Sequence, residues 1–498
     1  MIIEGGKLTL DDVVRVARYG EKVEISEKSL RIVDEGRRRL EYMLEGDAVI
    51  YGINTGLGDL VNVKINKKDR KKLQVNLVRS HASGVGNAMP EEVVRAAMLI
   101  RVNSLLMGYS GVRREVVLKL VEFLNHKITP VVPTFGSVGA SGDLAPLAHV
   151  ALALIGEGKV KYRGKVRDTK EVLEELNIEP LVLEEKEGLA LLNGTAVMAA
   201  YGVISLQDSF SVFKNALISA SMSFEALHGT DMALDERIMM VRPHSGQTNV
   251  ARAMREILKD SEIVKNAREE KVQDAYTLRC VPQVYGAVLD ALKYAKDVVE
   301  REINSVTDNP LIFDIPISGG NFHGEPLALA LDFAAIALTD LGNMIERRIA
   351  RLIDRNLSNL PHFLVEQSGL NSGLMIPQYT AAALCNRNKV ISHPASVDTI
   401  PTSANQEDHV SMGMTSAQKL REIVENVKYI VAIEYMTANQ ALHISGCSAT
   451  AVRAAMNAIG VKKFVEDTVF SEIIDSIKGK IDEGLILREV ERKVRIAL

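Results

Sequence analysis

Apolar residues recur at helical spacing along most of the 498-residue chain, and this periodicity limits the fold more than any other feature. Segment 90–106 begins with a proline and two glutamates, which suit the first turn of a helix. It then places one apolar stripe on the helix, made by Val94, Met98, Val102 and Leu105. The same pattern predicts helices over 114–125, 260–268, 284–304, 326–351, 417–436 and 462–498. Alternation of period two is scarce and predicts one small hairpin at 159–166, so we expect a mainly α fold.

The overall composition disfavours several classes of function. Lys and Arg number 60 against 64 Asp and Glu, and this balance leaves no basic footprint for nucleic acid or an anionic membrane. Hydrophobic residues make up 47% of the chain, which is too many for a disordered protein. Aromatic residues make up only 5% and Trp is absent, which disfavours stacking platforms for bases or sugars.

The cysteines and the apolar runs point to a cytoplasmic protein. Cys280, Cys385 and Cys447 lie far apart and predict neither a disulfide framework nor a zinc knuckle. The N-terminus has no basic region followed by an apolar stretch, so no signal peptide is predicted. The uncharged run 188–207 contains Asn193-Gly194-Thr195 and predicts a loop leading into a buried helix rather than a membrane span.

Domain boundaries are only weakly marked in the sequence. A hairpin and a charged helix around 156–187 separate two apolar blocks. We therefore expect an N-terminal domain over 1–190 and a long helical body over 191–498. Glycine-rich or polar loops interrupt the predicted helices at 51–58, 136–146, 319–326 and 401–413. Loops held by a rigid scaffold are the usual carriers of chemistry.

Several familiar motifs are nearly matched but fail. Five residues separate Gly158 from Gly164, whereas a phosphate-binding loop needs four and then Lys-Ser/Thr. Ser141 lacks the final glycine of a nucleophile elbow and no predicted strand precedes it, which disfavours the alternative of a serine hydrolase. No two histidines have HExxH spacing, so no metal site is predicted.

One glycine-rich string stands out for its chemistry. Residues 136–149 read Gly-Ser-Val-Gly-Ala-Ser-Gly-Asp-Leu-Ala-Pro-Leu-Ala-His. Glycines permit close approaches that a Cβ prevents. In such a turn the Gly142 nitrogen can attack the Ala140 carbonyl, and dehydration with loss of the Ser141 hydroxyl leaves an exocyclic methylidene. The string predicts an electrophile made from the chain itself, without an external cofactor. A second Ala-Ser-Gly at 82–84 lacks this context, and a flexible turn explains it.

The string resembles the signature of the histidine/phenylalanine/tyrosine ammonia-lyase family. Further strings match that family in order, at 51–56, 187–195, 273–283, 304–310, 320–326 and 403–413. The resemblance implies conversion of Ala140-Ser141-Gly142 into 4-methylideneimidazol-5-one (MIO), with Asp143 either assisting ring formation or acting as a helix cap. It also implies a fumarase/aspartase-like helical fold and a homotetramer whose active sites combine several subunits.

The resemblance also assigns roles around the ring. Tyr51, on a mobile loop, would remove the substrate's β proton, although a half-buried loop aromatic is the alternative. Arg279 offers a planar fork for a substrate carboxylate, or else a salt bridge at a helix start. Asn193 would hydrogen-bond the ring oxygen or the amine, or else cap a helix. The remaining residues implied to line the site are Gln273, Tyr276 and Phe322.

Two positions bear on the substrate. Ser80-His81 resembles histidine lyases, and Glu407 matches the residue that faces the imidazole there. A histidine and a carboxylate satisfy the one donor and one acceptor of a neutral imidazole, which favours L-histidine as substrate and urocanate as product. Ala196 replaces the Gln that is usual in histidine lyases, and the string 375–379 is more similar to the phenylalanine and tyrosine lyases.

Alternatives to the histidine lyase therefore stay open. A phenylalanine or tyrosine ammonia-lyase, or an aminomutase that shares the ring, is the nearest. A catalytically inactive, helical oligomeric binding protein is the alternative from another class. Leu57 and Asp59 also replace a Phe and a Lys that are usual beside the Tyr51 loop, and this concerns loop packing.

Overall fold

A computed structural model describes residues 1–46, 49–56 and 58–498, and α-helices dominate them. Leu57 lies outside the described residues. The fold is the mainly α fold predicted from the sequence. Contacts divide the chain into two compact units. The first comprises Met1–Gln207, Ala295–Asp332 and Pro394–Gln418, and the second comprises Asp208–Tyr294, Phe333–His393 and Lys419–Leu498. The predicted domain boundary at residue 190 stays a prediction.

The first unit combines helices with short strands. Its helices are Leu10–Ala17, Glu27–Glu45, Arg70–His81, Glu91–Leu105, Arg114–Asn125, Leu144–Leu154, Thr169–Leu176 and Glu187–Leu192. Strand Ile2–Ile3 pairs in parallel with Glu24–Ile25. Two antiparallel pairs are formed by Val85–Ala88 with Pro133–Phe135 and by Leu311–Ile312 with Pro316–Ile317. A three-stranded sheet contains Thr129–Pro130, Lys159–Tyr162 and Lys165–Asp168. The last two of these strands form the predicted hairpin, in which Lys159 pairs with Asp168.

Helices joined by loops make up the second unit, and its described residues include no strand. Its helices are Glu236–Val241, Ser245–Leu258, Glu262–Glu270, Tyr276–Arg279, Arg355–Ser358, Met375–Ile391, Thr450–Ile459, Phe470–Asp482 and Leu485–Glu491. Four of the five boundaries between the units fall within longer helices, namely Ala196–Ala226, Val281–Glu302, Glu325–Ile353 and Gly413–Ser445.

Helix Glu91–Leu105 shows how the first unit is packed. Pro90 precedes it and two glutamates occupy its first turn, as predicted. Burial is not confined to the predicted stripe, because every residue from Val93 to Leu105 is buried. Arg95 donates to the carbonyls of Val16, Ala17 and Leu124, so this buried cation is satisfied by backbone acceptors.

Two helices of the described chain are long and apolar enough to cross a membrane, Ala196–Ala226 and Glu325–Ile353. In the most apolar part of each, 83% and 72% of the residues are buried within the structure. An all-round apolar helix of this kind is expected in the core of a large protein. The burial agrees with the interpretation of 188–207 as the start of a buried helix.

The structure corrects two sequence predictions in detail. The predicted C-terminal helix over 462–498 is two helices, Phe470–Asp482 and Leu485–Glu491, separated by Gly484 in a left-handed conformation. The run from residue 188 does not begin as a loop. A short helix, Glu187–Leu192, precedes the turn at Asn193, because Leu189 to Leu192 are all buried and favour a helical turn there.

Candidate active site

A cavity of about 980 Å³ lies in the first unit, where several of the predicted loops meet helix Arg70–His81. Its lining includes most of the site residues predicted for that unit, namely Tyr51, His81, Ala140, Ser141, Asn193, Phe322 and Glu407. Gly142 and Asp143 follow Ser141 in the same loop, at the start of helix Leu144–Leu154. The structure thus brings together side chains that are far apart in the sequence.

The backbone around the triplet is held by a very close approach of two glycines. Gly142 and Gly194 form a parallel β-bridge. A Cβ on Gly142 would lie 2.1 Å from the Gly194 carbonyl oxygen, and the φ of Gly142 is +73°. Only glycine fits this position. The Asp143 N–H donates to the Gly194 oxygen at 2.7 Å, which fixes the two segments in register.

The carbonyl oxygen of Ser141 accepts two hydrogen bonds from the facing segment. The Asn193 Nδ2 donates at 3.2 Å and the Gly194 N–H at 3.3 Å. Two donors on one carbonyl oxygen stabilise negative charge that develops there. The Oδ1 of Asn193 is buried and has no hydrogen-bond partner within the described chain, so it is available to a ligand. The Asn193 side chain therefore contacts the triplet rather than capping a helix.

Asp143 is fully buried behind the triplet. Its Oδ2 accepts from the N–H groups of Val197 (2.9 Å) and Met198 (2.8 Å), in the first turn of helix Ala196–Ala226. Its Oδ1 accepts from the Ser137 hydroxyl at 3.0 Å. Burial raises the pKa of this carboxyl to about 7, although these hydrogen bonds oppose the shift. Asp143 therefore caps helix Ala196–Ala226 and not helix Leu144–Leu154, which it precedes.

Glu407 carries a carboxylate into the cavity beside Ser141. The Ser141 hydroxyl donates to its Oε1 at 3.1 Å, and the Thr402 hydroxyl donates to its Oε2 at 2.6 Å. The Tyr51 hydroxyl accepts from the Gly58 N–H at 2.9 Å. Burial raises the pKa of Tyr51, the Gly58 hydrogen bond lowers it, and the Glu407 charge raises it further. The phenol is therefore protonated at neutral pH in this arrangement.

His81 ends helix Arg70–His81 with its ring at the cavity wall. Its Nδ1 lies 3.0 Å from the Ser80 hydroxyl. Burial lowers the pKa of His81, while the Leu77 backbone and the Glu407 charge act in the opposite direction. The imidazole is therefore neutral near pH 7 and offers one donor and one acceptor.

The three remaining predicted residues lie together in the second unit. The Arg279 Nη1 donates to the Gln273 Oε1 at 2.8 Å, and the guanidinium lies 4.6 Å from the centre of the Tyr276 ring. Tyr276 is 69% exposed. No carboxylate of the described chain pairs with Arg279, and its Nε is buried without an acceptor. The salt-bridge alternative thus has no partner there, and the Arg279 guanidinium is available to bind an anion.

Sequence reasoning missed two histidines at the cavity. His323 and His409 both line it, and their rings stack with centroids 5.8 Å apart and planes at 4°. The Nδ1 of His323 accepts from the Glu325 N–H at 3.3 Å, and its Nε2 lies 3.2 Å from the His409 carbonyl oxygen. This connects the Phe322 loop to the Glu407 loop. Both histidines lie inside the strings used for the resemblance, and that position was the available signal.

Comparisons with known proteins agree with this geometry. The family model described as Aromatic amino acid lyase matches residues 8–460. A probable histidine ammonia-lyase from Thermoplasma acidophilum is 54% identical over 444 residues, which cover 89% of this chain and 90% of the relative. The histidine ammonia-lyase structure from Trypanosoma cruzi has a TM-score of 0.92 at 39% identity, covering 99% of this chain and 95% of that one. Tyrosine aminomutase from Streptomyces globisporus has a TM-score of 0.96 at 37% identity, covering 100% and 99%.

The chain belongs to the aromatic amino acid lyase family. The predicted family and enzyme class are thereby confirmed, and the catalytically inactive alternative is disfavoured. The roles predicted for individual site residues stay predictions.

Proposed function

We propose that this protein eliminates ammonia from L-histidine to give trans-urocanate. The observation that carries the proposal is the meeting of neutral His81 and Glu407 beside Ser141 in one cavity. A neutral imidazole needs a donor and an acceptor, and these two side chains supply both. Ring formation removes the Ser141 hydroxyl from the Glu407 Oε1, while Thr402 still donates to Oε2. A phenyl ring in the same place would offer Oε1 no donor, and a polar atom covered without a partner costs of order 2–7 kcal/mol. The names of the relatives at 54% and 39% identity support the same substrate.

The residues around the triplet fit the MIO ring. Gly142 has no room for a Cβ, and the absence of a side chain leaves its nitrogen uncrowded. Asn193 and Gly194 already donate to the oxygen that would become the ring carbonyl. Asp143 fixes the start of the neighbouring helix through two N–H groups, and in this proposal it supports ring formation. When formed, the ring supplies an electrophilic carbon that makes the substrate amine a better leaving group.

The proposed proton transfer uses Tyr51. Its hydroxyl oxygen, as phenolate, would take the proton from the substrate's β carbon, which is too weak an acid for water to deprotonate at a useful rate. The Gly58 N–H favours the phenolate by donating to that oxygen. Burial and the Glu407 charge oppose it.

The substrate carboxylate is assigned to Arg279, with Gln273 and Tyr276 beside it. A guanidinium binds a carboxylate with two parallel N–H donors, and stacking on Tyr276 fixes its plane.

We propose that these residues act in a homotetramer in which subunits share active sites, as the family resemblance implies. The exposed Tyr276 and Val272, the latter 97% exposed, are suited to contact another copy. We further propose a cytoplasmic location, with no nucleic acid, metal or membrane as partner.

The mass of the intact chain tests the ring, and a substrate panel tests the reaction. A chain lighter than its sequence by two waters, with both losses in the peptide over 136–149, is the expected result. Incubation with L-histidine, L-tyrosine and L-phenylalanine in separate reactions should give a conjugated product, seen by near-ultraviolet absorbance, from L-histidine alone. An unmodified mass would contradict every lyase proposal, whereas turnover of tyrosine but not histidine would contradict only the assignments of His81 and Glu407.

Replacement of Glu407 by Gln should move the pH profile as well as reduce the rate. The Glu407 charge raises the pKa of Tyr51, so its removal lowers that pKa and enlarges the phenolate fraction at a given pH. The limb of kcat/KM that rises with pH is expected at lower pH in Glu407→Gln, although kcat/KM itself falls. Asp408→Asn is the matched control, because Asp408 lines the same cavity but does not shift the pKa of Tyr51. An unmoved limb in Glu407→Gln would mean that Tyr51 is not the titrating base.

A further inference from the structure

A buried cluster of charged side chains lies behind the segment that faces the triplet. Lys186 donates to the Asp308 Oδ2 at 2.8 Å, and both side chains are fully buried. The Arg101 Nη2 lies 3.9 Å from the same oxygen and donates to the Ala190 carbonyl. The Asp308 Oδ1 accepts from the Asn309 N–H at 2.7 Å. The cluster contains two cations and one carboxylate, so it carries a formal charge of +1.

Arg101 touches the back of the Asn193–Gly194 turn. A Cβ on Gly194 would lie 2.9 Å from the Arg101 Nη1 and 2.4 Å from the Thr307 carbonyl oxygen. Gly194 itself donates its N–H to the Ser141 carbonyl oxygen. Gly194 is therefore held between the cluster and the triplet with no space on either side. The Nε and Nη1 of Arg101 have no acceptor within the described chain.

Such an arrangement directs positive potential toward the Ser141 oxygen. A buried charge is poorly screened, because water does not reach it and the local dielectric constant is low. Burial lowers the pKa of Lys186 and of Arg101, and Asp308 counteracts the shift in both. An excess cation in this place is costly to the fold unless negative charge develops nearby.

Ring formation develops negative charge at that oxygen. Ring closure joins the Gly142 nitrogen to the Ala140 carbonyl carbon, and the Ala140 oxygen leaves as water with the amide protons of Ser141 and Gly142. A second water takes the Ser141 hydroxyl and its α proton, and a carbon–carbon double bond remains. No oxidant is consumed. As the α proton leaves, electron density moves onto the adjacent Ser141 carbonyl oxygen, which Asn193 and Gly194 contact.

We infer that Arg101, supported by Lys186 and Asp308, is a positioning residue for ring formation, holding Gly194 against the Ser141 oxygen and stabilising the charge that forms there. The inference rests on the proposed function, because it concerns how the proposed ring is made. It adds to that function a group of residues that contacts neither the cavity nor the substrate.

Arg101→Met tests the inference by the rate of water loss. The variant leaves Lys186 paired with Asp308, so no buried charge loses its counter-charge. Freshly synthesised chain is sampled over time, and the masses of the intact chain and of its 136–149 peptide are measured. We expect loss of the two waters to be about 10–100-fold slower than in the natural chain, the same range as for removal of a group that orients a metal ligand. Arg101→Lys keeps the charge without the planar fork and should recover part of the rate.

Two controls separate positioning from folding. Arg95→Met removes another buried arginine of helix Glu91–Leu105. Arg95 donates to the carbonyls of Val16, Ala17 and Leu124 and to none in the segment that faces the triplet, so the ring of this variant should form at the natural rate. Lys186→Met lowers the cluster charge by the same amount as Arg101→Met and should also slow water loss. It replaces Arg101→Met if that variant yields no folded protein by circular dichroism.

The outcomes distinguish the two proposals. A natural chain that never loses two waters contradicts the proposed function itself. A natural chain that loses them, with folded Arg101→Met or Lys186→Met losing them equally fast, overturns only the role of the cluster. If Arg95→Met loses the two waters as slowly as Arg101→Met, the role of the cluster is also overturned, because the removal of any buried arginine would then have the same effect.

Discussion

Tyr51→Phe is expected to retain the mass loss of two waters and to lose about 10²–10⁴-fold in kcat, the usual contribution of a general base. Among the described residues the hydroxyl of Tyr51 hydrogen-bonds the Gly58 N–H and makes no hydrogen bond to the triplet, so we expect its removal to leave ring formation intact. The same removal takes away the group proposed to accept the β proton. Intact mass and steady-state turnover of L-histidine measure the two effects on one preparation.

Tyr162→Phe provides the matched control for this prediction. Tyr162 lies in the strand Lys159–Tyr162, is 7% exposed and belongs to the same unit, so it controls for the loss of a tyrosine hydroxyl. Its turnover should equal that of the natural chain. Full activity in Tyr51→Phe would contradict the assignment of the base, while a missing mass loss would mean that Tyr51 acts earlier, in making the ring.

The triplet was predictable because its chemistry is local. The spacing of glycines around Ser141 carries the ring chemistry in a single string. The hydrogen bond from Asn193 to the Ser141 oxygen joins segments 52 residues apart, and only the family resemblance had implied a role for Asn193 there. The helices were predictable for a similar reason, since apolar periodicity reflects burial of one face. Where several elements cover a helix, as with Glu91–Leu105, the pattern underestimates burial.

Arg101 illustrates what a sequence pattern does not reveal. Arginine is mostly exposed in proteins, so an arginine inside an amphipathic helix suggests a solvated face. Its burial depends on acceptors supplied by distant segments, here the carbonyl of Ala190 and the carboxylate of Asp308. The stacking of His323 on His409 depends in the same way on two loops that meet only in the folded chain. Such contacts are tertiary, and neither spacing nor residue type encodes them.

A second buried ion pair, Arg348 with Glu434, contacts the short helix that carries Arg279. In the second unit the Arg348 Nε donates to the Glu434 Oε1 at 2.6 Å, and both side chains are fully buried. Glu434 also accepts from the hydroxyls of Ser219 (2.6 Å) and Ser223 (2.9 Å), which satisfies its remaining lone pairs. The Arg348 Nη1 donates to the Thr277 carbonyl oxygen at 3.3 Å, within helix Tyr276–Arg279. The pair therefore anchors the proposed carboxylate-binding residues.

Lys428 offers a matched comparison on the same long helix as Glu434. Its ammonium contacts Asp208 at 3.1 Å, Glu425 at 2.8 Å and Asp482 at 2.9 Å, and its side chain is 7% exposed. None of these partners belongs to helix Tyr276–Arg279. Lys428→Met should therefore reduce the free energy of unfolding and leave KM for L-histidine unchanged.

Glu434→Gln is expected to reduce the free energy of unfolding by about 3–5 kcal/mol, because it leaves the Arg348 cation buried without a counter-charge. Without the counter-charge, Arg348 is expected to shift and to lose its hydrogen bond to the Thr277 carbonyl, which is worth about 1 kcal/mol. This loss should raise KM for L-histidine roughly fivefold. Ring mass should stay as in the natural chain. Denaturant unfolding, intact mass and steady-state kinetics below the unfolding transition measure the three quantities. If Glu434→Gln and Lys428→Met lose similar stability and neither changes KM, the ion pair stabilises the fold without positioning Arg279.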